Sequence, residues 1–296
     1  MDRSGIGLLG ELLEAHPNMA ITRRINFWDF YAGRYGDLAD SSNLDECLTA
    51  MMRYTRIQRL EPSVARLKAD FAGGDPSYAR LFQLLQEQNM ERLGRRRWGD
   101  KSLGAEHHAD EILTAFPQAV MIHALRDPRD RYASQATHRS AGRGGVGSGS
   151  AAWLASARRA RRNRGRYPER YRVVCYEDLV RDPVAMLTSV CELAELSYSP
   201  AMLSTDGEER AIHSESVGRY RTDLTTGEIR FMERVAGTEM RRWGYEPGGT
   251  EWVDGEKVRF VRGDLPAAAV GLVLWGPRTK LERLIGGRPS ARRTRV

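Results

Sequence analysis

The sequence predicts an α/β fold organised on a parallel sheet, and three observations predict it. Residues 119–125 (A-V-M-I-H-A-L) form a short apolar run, the pattern of a strand buried on both faces. Residues 170–176 (R-Y-R-V-V-C-Y) form a second strand-like run, and a helical pattern follows each of the two. The chain has 296 residues, enough for a substantial core, and suits one α/β domain with insertions better than two small ones.

Taken in order, residues 1–17 (M-D-R-S-G-I-G-L-L-G-E-L-L-E-A-H-P) open with a small-residue turn and run into a helix. Leu8, Leu9, Leu12 and Leu13 make one apolar stripe, and His16-Pro17 ends it. A glycine-bearing turn feeding a helix N-terminus points backbone amides at an anion. A plain amphipathic helix accounts for the same pattern, and both readings stand. Such a turn is normally preceded by a strand. Here the chain starts two residues before Arg3, so either the sequence is clipped ahead of Met1 or the sheet is built without that strand.

Residues 18–94 read as mostly helical after a short extended piece at 19–22. Phe27, Trp28, Phe30, Tyr31 and Tyr35 form an aromatic cluster suited to a core or a lid. Asp40-Ser41-Ser42-Asn43 marks a helix start and Gly73-Gly74-Asp75-Pro76 a break between helices. This insertion, about residues 27–95, is expected to supply the acceptor side of a site. Residues 95–104 (R-R-R-W-G-D-K-S-L-G) follow, with Asp100-Lys101-Ser102 expected on a loop where α/β enzymes keep chemistry. A structural ion pair is the other reading of Asp100 and Lys101. A helix over 107–116, carrying Ala109, Ile112, Leu113 and Phe116, is closed by Pro117.

At the end of the central strand stands Arg126, then Asp127 as N-cap and Pro128 at the first helical position. The helix expected over 129–138 puts Ser134 on its second turn. Open α/β sheets bind ligands outside the carboxyl ends of their strands. A guanidinium and a hydroxyl would therefore converge where a phosphate sits. The alternative is an Arg126–Asp127 turn that only stabilises a loop. Residues 140–150 (S-A-G-R-G-G-V-G-S-G-S) read as a mobile lid or linker, because they lack a nucleotide fingerprint's spacing. A basic helix is expected over 153–164, and helices over 185–196 and 226–243. Between the last two lies a loop, 213–223, with Gly218 and two arginines. Beyond 251, the apolar run 265–275 followed by Arg278, Lys280, Arg283 and Arg288 fits a docking helix or a membrane-surface contact.

The net charge of +7 is carried by arginine, with lysine only at Lys68, Lys101, Lys257 and Lys280. Such a balance points to anionic partners. Without an RNA-binding aromatic signature or a helix-turn-helix pattern, nucleic acid is not expected as the primary ligand. No stretch reaches the apolar length of a spanning helix or reads as a secretory signal. Cys47, Cys175 and Cys191 have neither metal-ligand spacing nor a disulfide framework. A cytoplasmic enzyme is the expectation.

In series, these residues resemble the sulfotransferase family, bacterial members included, that uses 3′-phosphoadenosine 5′-phosphosulfate (PAPS) as donor. R-S-G at Arg3, Ser4 and Gly5, with Leu8-Leu9 and His16-Pro17 following, resembles its 5′-phosphosulfate loop. W-G-D-K-S from Trp98 to Ser102 is similar to the tryptophan-glycine-acid-lysine segment of bacterial members. R-D-P-R-D-R-Y-A-S from Arg126 to Ser134 resembles the 3′-phosphate site. Tyr176-Glu177-Asp178-Leu179 resembles the strand-end motif whose tyrosine lies near the adenine.

The resemblance implies a P-loop-like, three-layer α/β fold with a central parallel sheet. One domain would span 1–250, with a basic extension over 251–296. It implies that Arg126 and Ser134 bind the 3′-phosphate, and that Arg3, Ser4, Gly5, Ile6 and Gly7 bind the 5′ side. Lys101 would neutralise charge on the sulfuryl oxygens, Tyr176 would lie near the adenine and Arg219 would close over the nucleotide. The acceptor would be a small molecule or glycan offering a hydroxyl or amine, and no metal is required.

The chain also departs from the family pattern. Ile6-Gly7 stand where two hydroxyl residues usually follow the loop glycine, and Arg24 stands where many bacterial members carry a glutamate base. Leu103 occupies the spacing at which cytosolic small-molecule members place a histidine. Asp100 is left as the candidate base, ahead of His107 and His123. A catalytically degraded, sulfotransferase-like nucleotide-binding or assembly protein is the alternative. A P-loop kinase is not, because no G-x-x-x-x-G-K-[ST] occurs.

Overall fold

A computed structural model describes residues 2–136, 145–205, 208–209, 212 and 214–248. The expected C-terminal docking or membrane-surface helix, and residues 140–144 of the glycine-rich stretch, lie outside the described residues. The chain divides into two compact units. One comprises the chain up to Arg126 together with Arg159–Ser214; the other comprises Asp127–Arg158 and the chain from Glu215.

The first unit begins with α1 (Ile6–Glu14), which follows Gly5 directly. Gly5 has φ 84°, a left-handed conformation that costs other residues strain. Next come β1 (Met19–Arg23), α2 (Phe27–Phe30), α3 (Ser41–Met52), α4 (Thr55–Gln58), α5 (Val64–Ala72) and α6 (Tyr78–Arg92). Side chains of Asp40, Ser63 and Ser77 cap α3, α5 and α6 by accepting backbone N–H bonds, satisfying amides a helix start leaves open. The aromatic stretch forms the core of this insertion: Phe27, Trp28 and Tyr31 are buried with Phe82, and Trp98 and Phe116 pack against them. Phe30 alone of that stretch lies substantially outside, 43% exposed.

Then follow β2 (Arg97–Lys101), a 3₁₀ turn at Ala105–His107, α7 (Ala109–Ala115) and β3 (Met121–Leu125). The second unit contributes α8 (Pro128–Ala136) and the start of α9 (Val146–Arg166), a helix that crosses the division. The chain returns to the first unit for β4 (Tyr171–Cys175), α10 (Tyr176–Arg181) and α11 (Pro183–Leu193). It ends in the second unit with α12 (Tyr220–Asp223) and α13 (Thr226–Arg242), the latter opened by a Thr225–Glu228 capping box.

Among the described residues the four longer strands form two parallel pairs, β1–β2 and β3–β4, and not one continuous sheet. No described strand precedes α1, and none hydrogen-bonds to both pairs. Each pair is covered on both faces, which gives the three layers locally. On β1–β2, Thr22 bonds to Gln86 of α6 on one face, while Gly10 of α1 meets Lys101 on the other. On β3–β4, Ala124 and Val174 pack with Leu9 and Leu12 of α1 and Leu187 of α11, and Met121 and Val173 pack towards α7. Helix α1 thus serves both pairs, and each fully buried leucine of its stripe is worth about 1.5–3 kcal/mol.

Three expectations are corrected. Asp100 and Lys101 end a strand instead of lying on a loop. R-W-G-D-K carries no β-branched residue, and pairing with β1 overrides that weak local preference. Val146–Ser150 is helical, not a flexible loop. Gly149 is required there by packing, since an added Cβ would fall 2.9 Å from Tyr132 Cδ2. The helix expected over 107–116 is a 3₁₀ turn and a shorter α-helix meeting at His108. No helix among the described residues is long and apolar enough to cross a membrane.

Candidate functional site

The carboxyl ends of the strands decide where the first unit can hold an anion. Lys101 ends β2, Arg126 follows β3, and Tyr176 follows β4 as the first residue of α10. The Arg126 guanidinium carbon lies 4.4 Å from the centroid of the Tyr176 ring, within the range of a cation–π contact. Tyr176 in turn lies under the turn that starts α1. A Cβ added to Gly5 would fall 2.5 Å from Tyr176 Cδ2, so only glycine admits the ring there.

In the same turn Ser4 is fully buried, and its Oγ has no hydrogen-bond partner in the described structure. A buried hydroxyl without a partner is costly. Here it sits beside helix amides that make no intrahelical bond, a setting that suits an anion's oxygens. Arg3 holds φ 64°, which turns the backbone sharply into this cradle. Ile6 begins the helix, and an added Cβ at Gly7 would meet nothing within 4 Å. Position 7 therefore faces open space and offers no side-chain donor.

Lys101 projects towards α1, where an added Cβ at Gly10 would lie 2.3 Å from its Cδ and 3.2 Å from Nζ. Burial, then the neighbouring Arg23 cation, pushes its ammonium below the ordinary value, against the pull of Glu11. Arg23, paired with Glu14, occupies the matching position on β1. Asp100 projects the other way, because successive strand residues alternate faces. Its Oδ1 accepts from Thr22 Oγ1 at 2.7 Å, and Thr22 accepts from Gln86 Nε2 at 3.0 Å. Burial raises the Asp100 carboxyl to about 6, against the lowering bonds from Ser102 and Thr22.

The remaining candidates fall as follows. His123 is buried in β3 with its Nδ1 2.7 Å from the Tyr171 hydroxyl, a hydrogen-bonded core position. Burial lowers it to about 4, and burial lowers His107 to a similar value. Arg24 pairs with Asp2 at 3.1 Å.

In the second unit, Asp127 caps α8 through the Arg129 N–H at 2.8 Å. The same carboxylate takes the Arg129 guanidinium at 3.0 and 2.7 Å. Ser134 lies on the second turn of α8, half-buried. Arg219 is 44% exposed and paired with Asp223 at 2.6 Å.

Sequence reasoning missed two clusters. His108 is held between Asp29 (3.0 Å) and Glu111 (2.8 Å). Asp130 accepts two backbone amides from the loop that carries Arg219. The second signal lay in the alternating Arg–Asp pattern of residues 126–131, which calls for buried charge pairing.

The first unit of this α/β protein thus has a helix-start turn with an unpartnered buried hydroxyl, an arginine–tyrosine stack and a lysine at strand ends, groups whose chemistry suits an anion. The model of the sulfotransferase family matches residues 1–200, and the chain belongs to that family. Among solved structures it is similar to the sulfotransferase domain from the Synechococcus PCC 7002 olefin synthase, with 23% identity and a TM-score of 0.56. That match covers 82% of this chain and 92% of the other. It is also similar to the sulfotransferase domain from the curacin biosynthetic pathway, at 18% identity and a TM-score of 0.51, over 83% and 95% of the two chains. No curated protein sequence matches it.

Proposed function

We propose that the protein transfers the sulfuryl group of PAPS to a hydroxyl or amine of a small-molecule or glycan acceptor. The observation that carries this reading is the unpartnered Ser4 Oγ in the turn whose Gly5 packs against Tyr176, the ring that Arg126 covers. Family membership supports the reaction class. PAPS supplies the activated sulfuryl group; the chain's residues bind, orient and neutralise.

In this reading the α1 amides and Ser4 Oγ hold the 5′-phosphosulfate, with Arg3, Gly5, Ile6 and Gly7 shaping the loop. Tyr176 flanks the adenine, Arg126 and Ser134 take the 3′-phosphate, and Arg219 covers the nucleotide. Lys101 stabilises negative charge on the leaving side, the main demand of a transfer that needs in-line positioning and little covalent help.

Asp100 is the proposed proton acceptor. Its pKa of about 6 leaves it ionised at neutral pH and still able to hold a proton. Lys101 faces α1 and Asp100 faces α6 on β2, so proton transfer to Asp100 is proposed to run through the hydrogen-bonded Thr22–Ser102 end of the strand. Two accepted hydrogen bonds leave a carboxylate further lone pairs for an acceptor. The setting is proposed to be cytoplasmic, in keeping with three free thiols.

The test is transfer of ³⁵S-sulfate from labelled PAPS to a panel of alcohols, phenols, amines and glycans. Labelled product that vanishes in Lys101→Ala supports the reading, and no transfer to any class contradicts it. The second reading, a nucleotide-binding relic, is favoured by Gly7, which has no side-chain donor for phosphate. Binding of 3′-phosphoadenosine 5′-phosphate (PAP) without transfer would select it.

A further inference from the structure

The acidic residue in the middle of the R-D-P-R-D-R run does a job of its own. Asp130 lies in the first turn of α8 and is only 2% exposed. Its Oδ2 accepts the Gly218 N–H at 2.7 Å and its Oδ1 accepts the Tyr220 N–H at 2.8 Å. The two amides flank Arg219, so one buried carboxylate grips the backbone on either side of that arginine. Bonds from amides to an ionised acceptor are about twice as strong as neutral ones, and burial screens them little.

The grip is reinforced around Tyr220. Its ring lies between two guanidiniums, with Arg129 4.2 Å and Arg221 4.8 Å from its centroid. Arg129 is itself fixed by Asp127 and by Glu233 of α13 at 2.5 Å. Gly218 takes φ 79°, and an added Cβ there would lie 2.4 Å from Arg221 Nη1. A glycine is therefore needed to turn its amide onto Asp130. The Arg219 side chain is left at the surface.

We infer that Asp130 is a positioning residue: it holds the 218–220 backbone so that Arg219 is presented in one place to an anionic group of the donor nucleotide. This rests on the reading that PAPS is the donor and that Arg219 contacts it. The carboxylate does not touch the nucleotide; it sets the arginine that does. Such preordering lowers the cost of binding, because the loop need not be fixed at that moment.

Two measurements on the full chain test it. Trypsin cleavage after Arg219 and Arg221, without nucleotide, reads the loop directly. Asp130→Asn removes the charge, and the expected result is cleavage about tenfold faster than in the wild type. Unchanged cleavage overturns the latch. Calorimetric titration with PAP then forms a double-mutant cycle.

Asp130→Asn and Arg219→Ala should each weaken binding about tenfold, and the double variant should be no weaker than Arg219→Ala. A merely structural role would give additive losses, and additivity overturns the inference. Wild-type binding with no effect of Arg219→Ala also overturns it. Absence of PAP binding in the wild type overturns the donor reading as well, with the proteolysis result separating the two failures. Should Asp130→Asn not fold, Asp130→Glu, which keeps the charge but lengthens the arm, carries the same cycle, with partial loss expected.

Discussion

The Arg126 guanidinium carbon stands 4.4 Å from the centroid of the Tyr176 ring, and the same ring closes under Gly5. Three segments far apart in sequence therefore meet through one aromatic side chain. Arg126→Ala should lower PAP affinity about 100-fold, and Arg126→Lys about tenfold, because an ammonium neither stacks flat nor bonds bidentately. Tyr176→Leu should cost about 0.5–2 kcal/mol of binding from the lost cation–π contact, with Tyr176→Phe close to wild type. Isothermal titration checks all four.

Gly5→Ala is expected to fail twice over. The φ of 84° costs an alanine about 1–2 kcal/mol, and its Cβ would collide with Tyr176. A lower melting temperature together with loss of PAP binding is the expected outcome. Thermal denaturation with and without PAP measures both.

Lys101→Ala should lower kcat about 10²–10³-fold, the usual effect of removing one charge-stabilising group, with PAP affinity changed far less. Gly10→Ala should act in the same direction more weakly, since its Cβ would displace the Lys101 stem. Steady-state kinetics on any acceptor that turns over separates kcat from KM.

Asp100 carries the pH dependence. As a base it acts only when ionised, so kcat should fall as pH drops through about 6. Asp100→Asn should remove that limb with the turnover itself and leave PAP binding intact. The stability sign is opposite: a carboxyl raised on folding favours its protonated form. Its contribution is thus present below the ordinary value of about 3.9 and lost as pH rises towards 6.

His108 behaves differently. Burial opposes its charge, yet the bonds to Asp29 and Glu111 outweigh burial and raise its pKa. Its contribution to stability is full below the ordinary histidine value of about 6.5 and is lost as pH rises through the raised folded value. Melting curves across this range should show that step in the wild type and not in His108→Gln.

Much of this was legible in the residues. The apolar runs ending at Leu125 and Cys175 are strands buried on both faces, and such runs announce themselves without alternation. Asp127–Pro128 marked a helix start because capping chemistry is local. Strand β2 was not legible: Arg97, Gly99 and Asp100 have no strand preference, and only the partner strand fixes them. Val146–Ser150 misled for the reverse reason, since Gly149 serves a close approach to Tyr132 and not flexibility. Arg126 and Tyr176 could be placed at the ends of their strands from the sequence, whereas Lys101 was expected on a loop. That Lys101 and Asp100 face apart followed only once they lay on a strand. The Asp130 grip joins residues 88 and 90 positions apart, a separation that no local pattern encodes.

The central claim is a site built for a ribose 3′-phosphate as well as a 5′ group. Calorimetric titration of the wild-type chain with PAP and with adenosine 5′-phosphate, side by side, tests it most directly. The account predicts PAP to bind about 100-fold more tightly, the value of two charge-assisted contacts, and Arg126→Ala to erase the difference. Equal affinity for the two nucleotides in the wild type would contradict it.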